Sequence, residues 1–144
     1  MERFGQKNGQ GYYRYEAGSR EALVDESVEA LVVEVSEDAG FTRRDISDEE
    51  ITERCILALV NEGAKILDEG FARNSADIDK VYLNGYGFPK ERGGPMAYAD
   101  ARGLSDVLAA IKAFEKDQGS IWQPSALLEK LANEGGKFSD ITNS

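Results

Sequence analysis

The sequence predicts an all-α fold: a compact domain of about five to six helices around one long central helix, preceded by an irregular Gly/Tyr-rich N-terminal arm. Three observations predict it. Apolar residues recur at i, i+3 and i+4 in successive windows. Most of these windows open on a capping residue or a first-turn proline and close on glycine. No stretch alternates convincingly enough to read as a sheet strand.

Residues 1–18 form the arm. Gly5, Gly9 and Gly11 fall within seven residues and argue for turns, and "YYRY" has the aromatic bias of a short extended piece. The arm is expected to lie on the domain, anchored by Tyr12, Tyr13 and Tyr15. Residues 19–46 hold a helix and a polar linker. Val28, Leu31, Val32 and Val35 make one helical stripe between Asp25 and Asp38, and Gly40 ends it.

The main domain is expected over 47–138. Ser47 with Glu50 makes a capping box, strengthened by Asp48 and Glu49 in the first turn. Behind it, Ile51, Cys55 and Leu59, then Ile56, Val60, Ala64 and Leu67, form a wide apolar face ending at Gly70. Cys55 therefore reads as a buried thiol acting as a small hydrophobe. Gly63 costs about 1 kcal/mol against alanine in a helix, so close approach of another backbone is expected there.

Ser75 is the expected cap of the next helix, with Ile78, Val81 and Tyr82 inward and Gly85 as the stop. Pro95 suits the first turn of a short helix that runs to Gly103. Ser105 then caps a helix with Leu108, Ile111 and Phe114 inward, and a last helix turns Leu127, Leu128 and Leu131 inward. The chain after Gly136 is expected to fray, with 139–144 as its tail.

Composition excludes several functions. The net charge of −10 and the lack of a basic cluster argue against nucleic acid as a partner. No apolar run is long enough for a membrane span, and the N-terminus lacks the apolar segment of a secretory signal. A single cysteine rules out an internal disulfide and a Cys-based zinc site. A cytoplasmic protein is the expectation. The chain contains no histidine, which removes the usual general base, the Ser–His–Asp triad and most catalytic zinc sites. "GQKNGQG" lacks the preceding strand and following helix of a phosphate loop. The acid runs "SDEE" and "SEDAG" lack the order of a calcium loop. No catalytic residue and no metal ligand are predicted.

The candidate site is the loop within "NGYGFPKERGGPMAYAD". Gly85 stops one helix, Pro89 forces Phe88 out of helical geometry, and Pro95 opens the next helix. Tyr86, Phe88 and Met96 lie beside Lys90 and Arg92, while Gly93 and Gly94 permit close backbone approach. Apolar groups next to two cations suit an acyl chain with an anionic head. They suit a helix-packing corner equally well.

Around this loop the chain resembles a known family. "ERCILALVNEGA", "DIDKVYLNGYGFP" and "RGGPMAYAD" occur in the order and at the spacing of the C-terminal helical domain of 3-hydroxyacyl-CoA dehydrogenases. The second copy of that domain, at the end of multifunctional fatty-acid β-oxidation enzymes, is the most similar. "WQPSALLEKLANEGGKF" is similar to the family's terminus, so the resemblance covers roughly 47–138. "GQKNGQGYYRY" resembles the ending of the first copy.

The resemblance implies a fragment or C-terminal domain of an NAD-dependent enzyme that oxidises the 3-hydroxyl of an acyl-CoA to a ketone. In the family a Rossmann domain and a catalytic His–Glu pair lie upstream. This chain has neither the Rossmann fingerprint nor a histidine, so no cofactor is assigned to it and NAD belongs to the parent enzyme. What carries over is a packing role, with this repeat pairing against another or self-associating, as subunits do in the dimeric enzymes. One wall of the acyl-CoA cleft also carries over, with Lys90 or Arg92 near a CoA phosphate. The alternative is a free-standing, non-catalytic helical module that binds an acyl-CoA or a protein.

Overall fold

The fold of the computed structural model is all-α. Residues 2–143 are described; Met1 and Ser144, the outermost residues of the expected arm and tail, lie outside the described residues. Among the described residues there are six α-helices and no strand, only isolated bridges. The chain divides into two compact units, Met1–Asp45 and Ile46–Ser144.

In the first unit the arm curls on itself. The Gly5 amide donates to the Gln10 carbonyl at 2.7 Å, and Arg14 and Leu23 exchange backbone bonds at 2.8 and 2.9 Å. Helix α1, Glu26–Asp38, is capped by Asp25, whose carboxylate accepts from the Ser27 amide. Arg3 bridges the arm to this cap, donating to Asp25 at 2.5 Å and to the Gly11 carbonyl at 3.0 Å. The Ser27 bond, and next the Arg3 bond, hold the Asp25 carboxyl at about 2. The arm differs from expectation in one respect. Tyr12 (81% exposed) and Tyr13 are not buried anchors, because the turns satisfy the arm's backbone internally and leave the rings on the surface. No residue of α1 is buried.

The second unit holds α2 (Asp48–Asp68), α3 (Ser75–Gly85), α4 (Pro95–Arg102), α5 (Leu104–Gln118) and α6 (Ala126–Glu134). Ser47 caps α2 by accepting from the Glu50 amide at 3.2 Å. The buried face of α2 is Leu57, Val60, Ala64 and Leu67, packed with Met96, Ala99, Ile111, Leu128 and Phe138. At Gly63 the close neighbour is a side chain rather than a backbone: a Cβ there would lie 2.5 Å from Met96 Sδ.

Several predicted faces turn out otherwise. Cys55 is exposed and Ile51 is 49% exposed. At about 100° per residue, Ile51, Cys55 and Leu59 fall on roughly the opposite side of α2 from Leu57, Val60 and Ala64. The wide apolar face is two faces, and only one is core. Val81 likewise points outward, while Ser75 and Asp79 share the buried face of α3 with Ile78. Asn74, not Ser75, caps α3 by accepting from the Asp77 amide. Gly103 precedes α5, and the Ser105 hydroxyl donates to the Ala132 carbonyl of α6 at 3.1 Å.

The expected fraying does not extend through 138–143. Phe138 is fully buried, and the Asn143 amide group donates to the Leu67 and Ala72 carbonyls at 2.8 and 2.9 Å. Leu67 lies in the last turn of α2 and Ala72 in the turn that follows, so the tail ties down the chain where it leaves this helix.

The two faces of α2 separate in a stability measurement. Leu57→Ala is expected to lower the unfolding free energy by about 2–5 kcal/mol, as a fully buried leucine should. Ile51→Ala is expected to change it by about 0.5 kcal/mol or less. Denaturant titration followed by Trp122 fluorescence distinguishes them, and a large loss at Ile51 would refute the two-faced reading.

Candidate functional site

Helix α3 stops where the chain doubles back on it. The amides of Tyr86 and Phe88 both donate to the Tyr82 carbonyl, at 3.2 and 3.1 Å. Three aromatic rings gather there, Tyr82 lying 5.4 Å from Tyr86 and 6.5 Å from Phe88. A short 3-10 turn over Lys90–Arg92 follows, closed by Gly93 in the left-handed region at φ 76°.

The next helix start has an unusual cap. Gly94 precedes α4 and has no side chain to offer, and Pro95 has no amide to satisfy. The following two amides are served from another helix. Met96 and Ala97 donate to Asp79 Oδ1 and Oδ2 at 2.8 and 3.1 Å. The carboxylate needs the space a side chain at Gly94 would take: a Cβ there would come within 2.3 Å of Asp79 Oδ1. Burial pushes the Asp79 carboxyl above its ordinary range despite the two amide donors that hold it down, and Asp100 pushes the same way.

Of the seven loop residues singled out in the sequence, the structure brings only some to the surface. Tyr86 is 75% exposed, and Lys90 and Arg92 are exposed. Phe88 is buried, and Met96 is fully buried in the core against α2, so neither is free to face a ligand on this surface. The cause is the same turn geometry, which folds Phe88 back over Tyr82 and sends Met96 inward as the first apolar residue of α4. Gly93 and Gly94 shape the backbone: the first closes the turn and the second admits Asp79.

Arg92 borders a groove of about 420 Å³ lined by Asp48, Glu49, Thr52, Glu53, Ile56 and Tyr98. Its guanidinium lies 5.5 Å from the Tyr98 ring centroid, a stacking distance for a cation over an aromatic face. Glu53 is held by Arg102 at 2.5 Å. An anion approaching Arg92 therefore also meets the carboxylates of Asp48 and Glu49. Among the described residues, no group of three or more His, Cys, Asp or Glu is arranged to hold a metal ion.

Sequence reasoning missed Asp79 and Asn61. Asn61 is buried on α2, donating to the Gln123 carbonyl at 2.9 Å and accepting from the Ser125 amide at 2.8 Å. It fixes the turn into α6. Both residues left a signal, since each is a polar group on a face whose helical neighbours are apolar.

Asp79→Ala is expected to lower stability by about 2–4 kcal/mol, because two amides lose their acceptor and one of them is buried. The pH dependence has a definite sign. A carboxyl whose folded pKa is raised contributes stability that is present below the unfolded value and lost as pH rises through the folded one. The stability of the native chain relative to Asp79→Asn is thus expected to fall as pH rises from about 4 through that value. Denaturant titration at several pH values measures this, and a gap that widened with pH would contradict it.

Comparison with known proteins completes the picture. The family description "3-hydroxyacyl-CoA dehydrogenase, C-terminal domain" matches residues 51–140. The chain is 43% identical over 136 residues to a peroxisomal bifunctional enzyme of Danio rerio, covering 92% of this chain and 19% of that protein. The human protein of the same name is 40% identical over 136 residues, with the same coverage. The fatty acid oxidation complex subunit alpha of Shewanella loihica is 34% identical over 138 residues, covering 95% of this chain and again 19% of the relative. The chain thus spans about one fifth of the length of these relatives. The Asp79-capped corner, with the aromatic turn before it, falls inside the matched region, and the chain belongs to the 3-hydroxyacyl-CoA dehydrogenase C-terminal domain family.

Proposed function

We propose that this chain works as the C-terminal part of an NAD-dependent 3-hydroxyacyl-CoA dehydrogenase of fatty-acid β-oxidation. The parent enzyme oxidises the 3-hydroxyl of an acyl-CoA to a ketone and passes hydride to NAD⁺. The proton is taken by a histidine outside this chain, which has none. The chain's own contribution is structural. It supplies a surface for a paired helical repeat, and it presents Tyr86, Lys90 and Arg92 at the edge of the acyl-CoA cleft.

The observation that carries the packing role is the second apolar stripe of α2. Ile51, Cys55 and Leu59 lie away from the core, and the first two are exposed on the longest helix of the unit. Such a stripe is the natural seam for a second helix. The cleft-edge role rests on the exposed aromatic and two cations at one corner. Of the cations, Lys90 does not line the acidic groove that Arg92 shares, which favours Lys90 for a CoA phosphate. No helix among the described residues is long and apolar enough to cross a membrane. The cytoplasm is our reading of where the protein works, with the peroxisome of the vertebrate relatives' names as the competing compartment.

Three measurements test this. The isolated chain is expected to show no NADH oxidation with acetoacetyl-CoA, and turnover would overturn the assignment of catalysis elsewhere. Calorimetric titration with acetoacetyl-CoA is expected to show binding that Lys90→Ala weakens more than Arg92→Ala. Immunoblotting of native cells is expected to reveal a band several times heavier than 15.8 kDa. A band at that mass would favour a free-standing acyl-CoA- or protein-binding module.

A further inference from the structure

The first unit carries a surface that neither the dehydrogenase reading nor the pairing seam on α2 uses. A groove of about 810 Å³ lies between Tyr12 and Tyr13 of the arm and Leu31, Val32 and Val35 of α1, with Phe41 also on its wall. Its helix is built against its own isolated stability. Four of its thirteen residues are valines (Val28, Val32, Val33, Val35), which lose side-chain freedom in a helix. Glu26, Glu29, Glu34, Glu37 and Asp38 are five acids with no base among them, and the last two sit at the end where the helix carries partial negative charge. A helix of this length is marginal in water unless packing covers its apolar face. Yet no residue of α1 is buried.

The charge around the apolar stripe says what covers it. At about 100° per residue, Glu29 flanks the stripe on one side, and Glu34 and Asp38 flank it on the other. Glu29 lines the adjoining depression together with Val32, Val33 and Arg43. The one base on the groove itself, Arg3, is already paired with Asp25. An acyl chain with an anionic head would meet a rim of its own sign. A helix with lysines or arginines beside its apolar residues would meet Glu34 and Asp38 along one edge, and on the other Glu29, where Arg43 also sits, donating to Ser36 at 3.4 Å; a cation near Glu37 and Asp38 would relieve the end of α1.

We infer that this groove is a docking site for a basic amphipathic helix. The partner lays an apolar stripe between the tyrosines of the arm and the valines of α1, and its flanking cations face Glu29, Glu34 and Asp38. This surface is distinct from the α2 seam and does not depend on the dehydrogenase reading.

The probe is a fluorescently labelled synthetic helix with Leu at i, i+3, i+4 and i+7 and Lys on both flanks, titrated into the full chain by anisotropy. Saturable one-to-one binding that weakens as salt is raised is expected, with a gain in helical circular dichroism. Leu31→Asp with Val35→Asp is expected to weaken it about tenfold or more. Glu29→Lys with Glu34→Lys is expected to switch preference from the Lys peptide to one with Glu in place of Lys, a reversal that unfolding of α1 cannot produce. Equal binding of a scrambled peptide of the same composition would overturn the proposal, as would an unchanged preference in the charge-reversed variant. Sedimentation showing that the chain pairs with itself through this face, with Leu31→Asp dissolving the pair, would replace the basic helix with a second copy.

Discussion

The corner between α3 and α4 depends on one carboxylate and one missing side chain. Asp79 caps a helix it does not belong to, and it does so because Gly94 leaves the space that its oxygen occupies. From that point the arrangement propagates. With the first amides of α4 fixed, Met96 is committed to the interior, where Gly63 of α2 has likewise given up its side chain to receive the sulfur. Farther along α4, Asp100 accepts from the amides of Phe138 and Ser139 at 2.8 and 3.0 Å, placing the last large core residue. An eight-residue helix, too short to persist alone, is thus held near both ends by side chains and backbone from distant parts of the sequence.

The chain's excess of acid looks different once its partners are known. Many carboxylates are committed to structure rather than to a ligand. Asp25 caps α1, Asp79 and Asp100 anchor α4, and Glu53 holds Arg102. Arg54 is committed too: it pairs with Glu50 and Asp117 while lying 4.2 Å from the Phe114 ring centroid. With Arg54 and Arg102 engaged in this way, Lys90 and Arg92 are the exposed bases where α3 turns toward α4.

Helix positions were legible in the sequence because capping is local chemistry. Ser47 with Glu50, Pro95 at a first turn, and glycines after helix ends each report on a few adjacent bonds. Which way a face points was less legible, because that is decided by distant residues. Ile51, Cys55 and Leu59 repeat as regularly as Val60, Ala64 and Leu67, and periodicity alone does not say which stripe the rest of the unit will cover. The candidate loop was read correctly as a stop and a restart, but its composition mixed surface groups with core groups. Phe88 and Met96 looked like a ligand wall beside Lys90 and Arg92 until the turn sorted them inward. Asp79 passed unnoticed since its partners lie seventeen and eighteen residues away.

The side chain of Asn143 has a consequence for how the protein is made. It completes the hydrogen bonding of the Leu67 and Ala72 carbonyls from as far as 76 positions downstream, and Phe138 fills the core from nearly as far. A ribosome adds about 5–20 residues per second, so the buried stripe of α2 emerges roughly 4–15 s before the groups that close over it. Met96, Ala99 and Ile111 arrive within that interval and begin to cover Leu57, Val60 and Leu67, but the core stays incomplete until Phe138 follows. The time for which the core of a growing chain stays open is therefore set by residues 138–143.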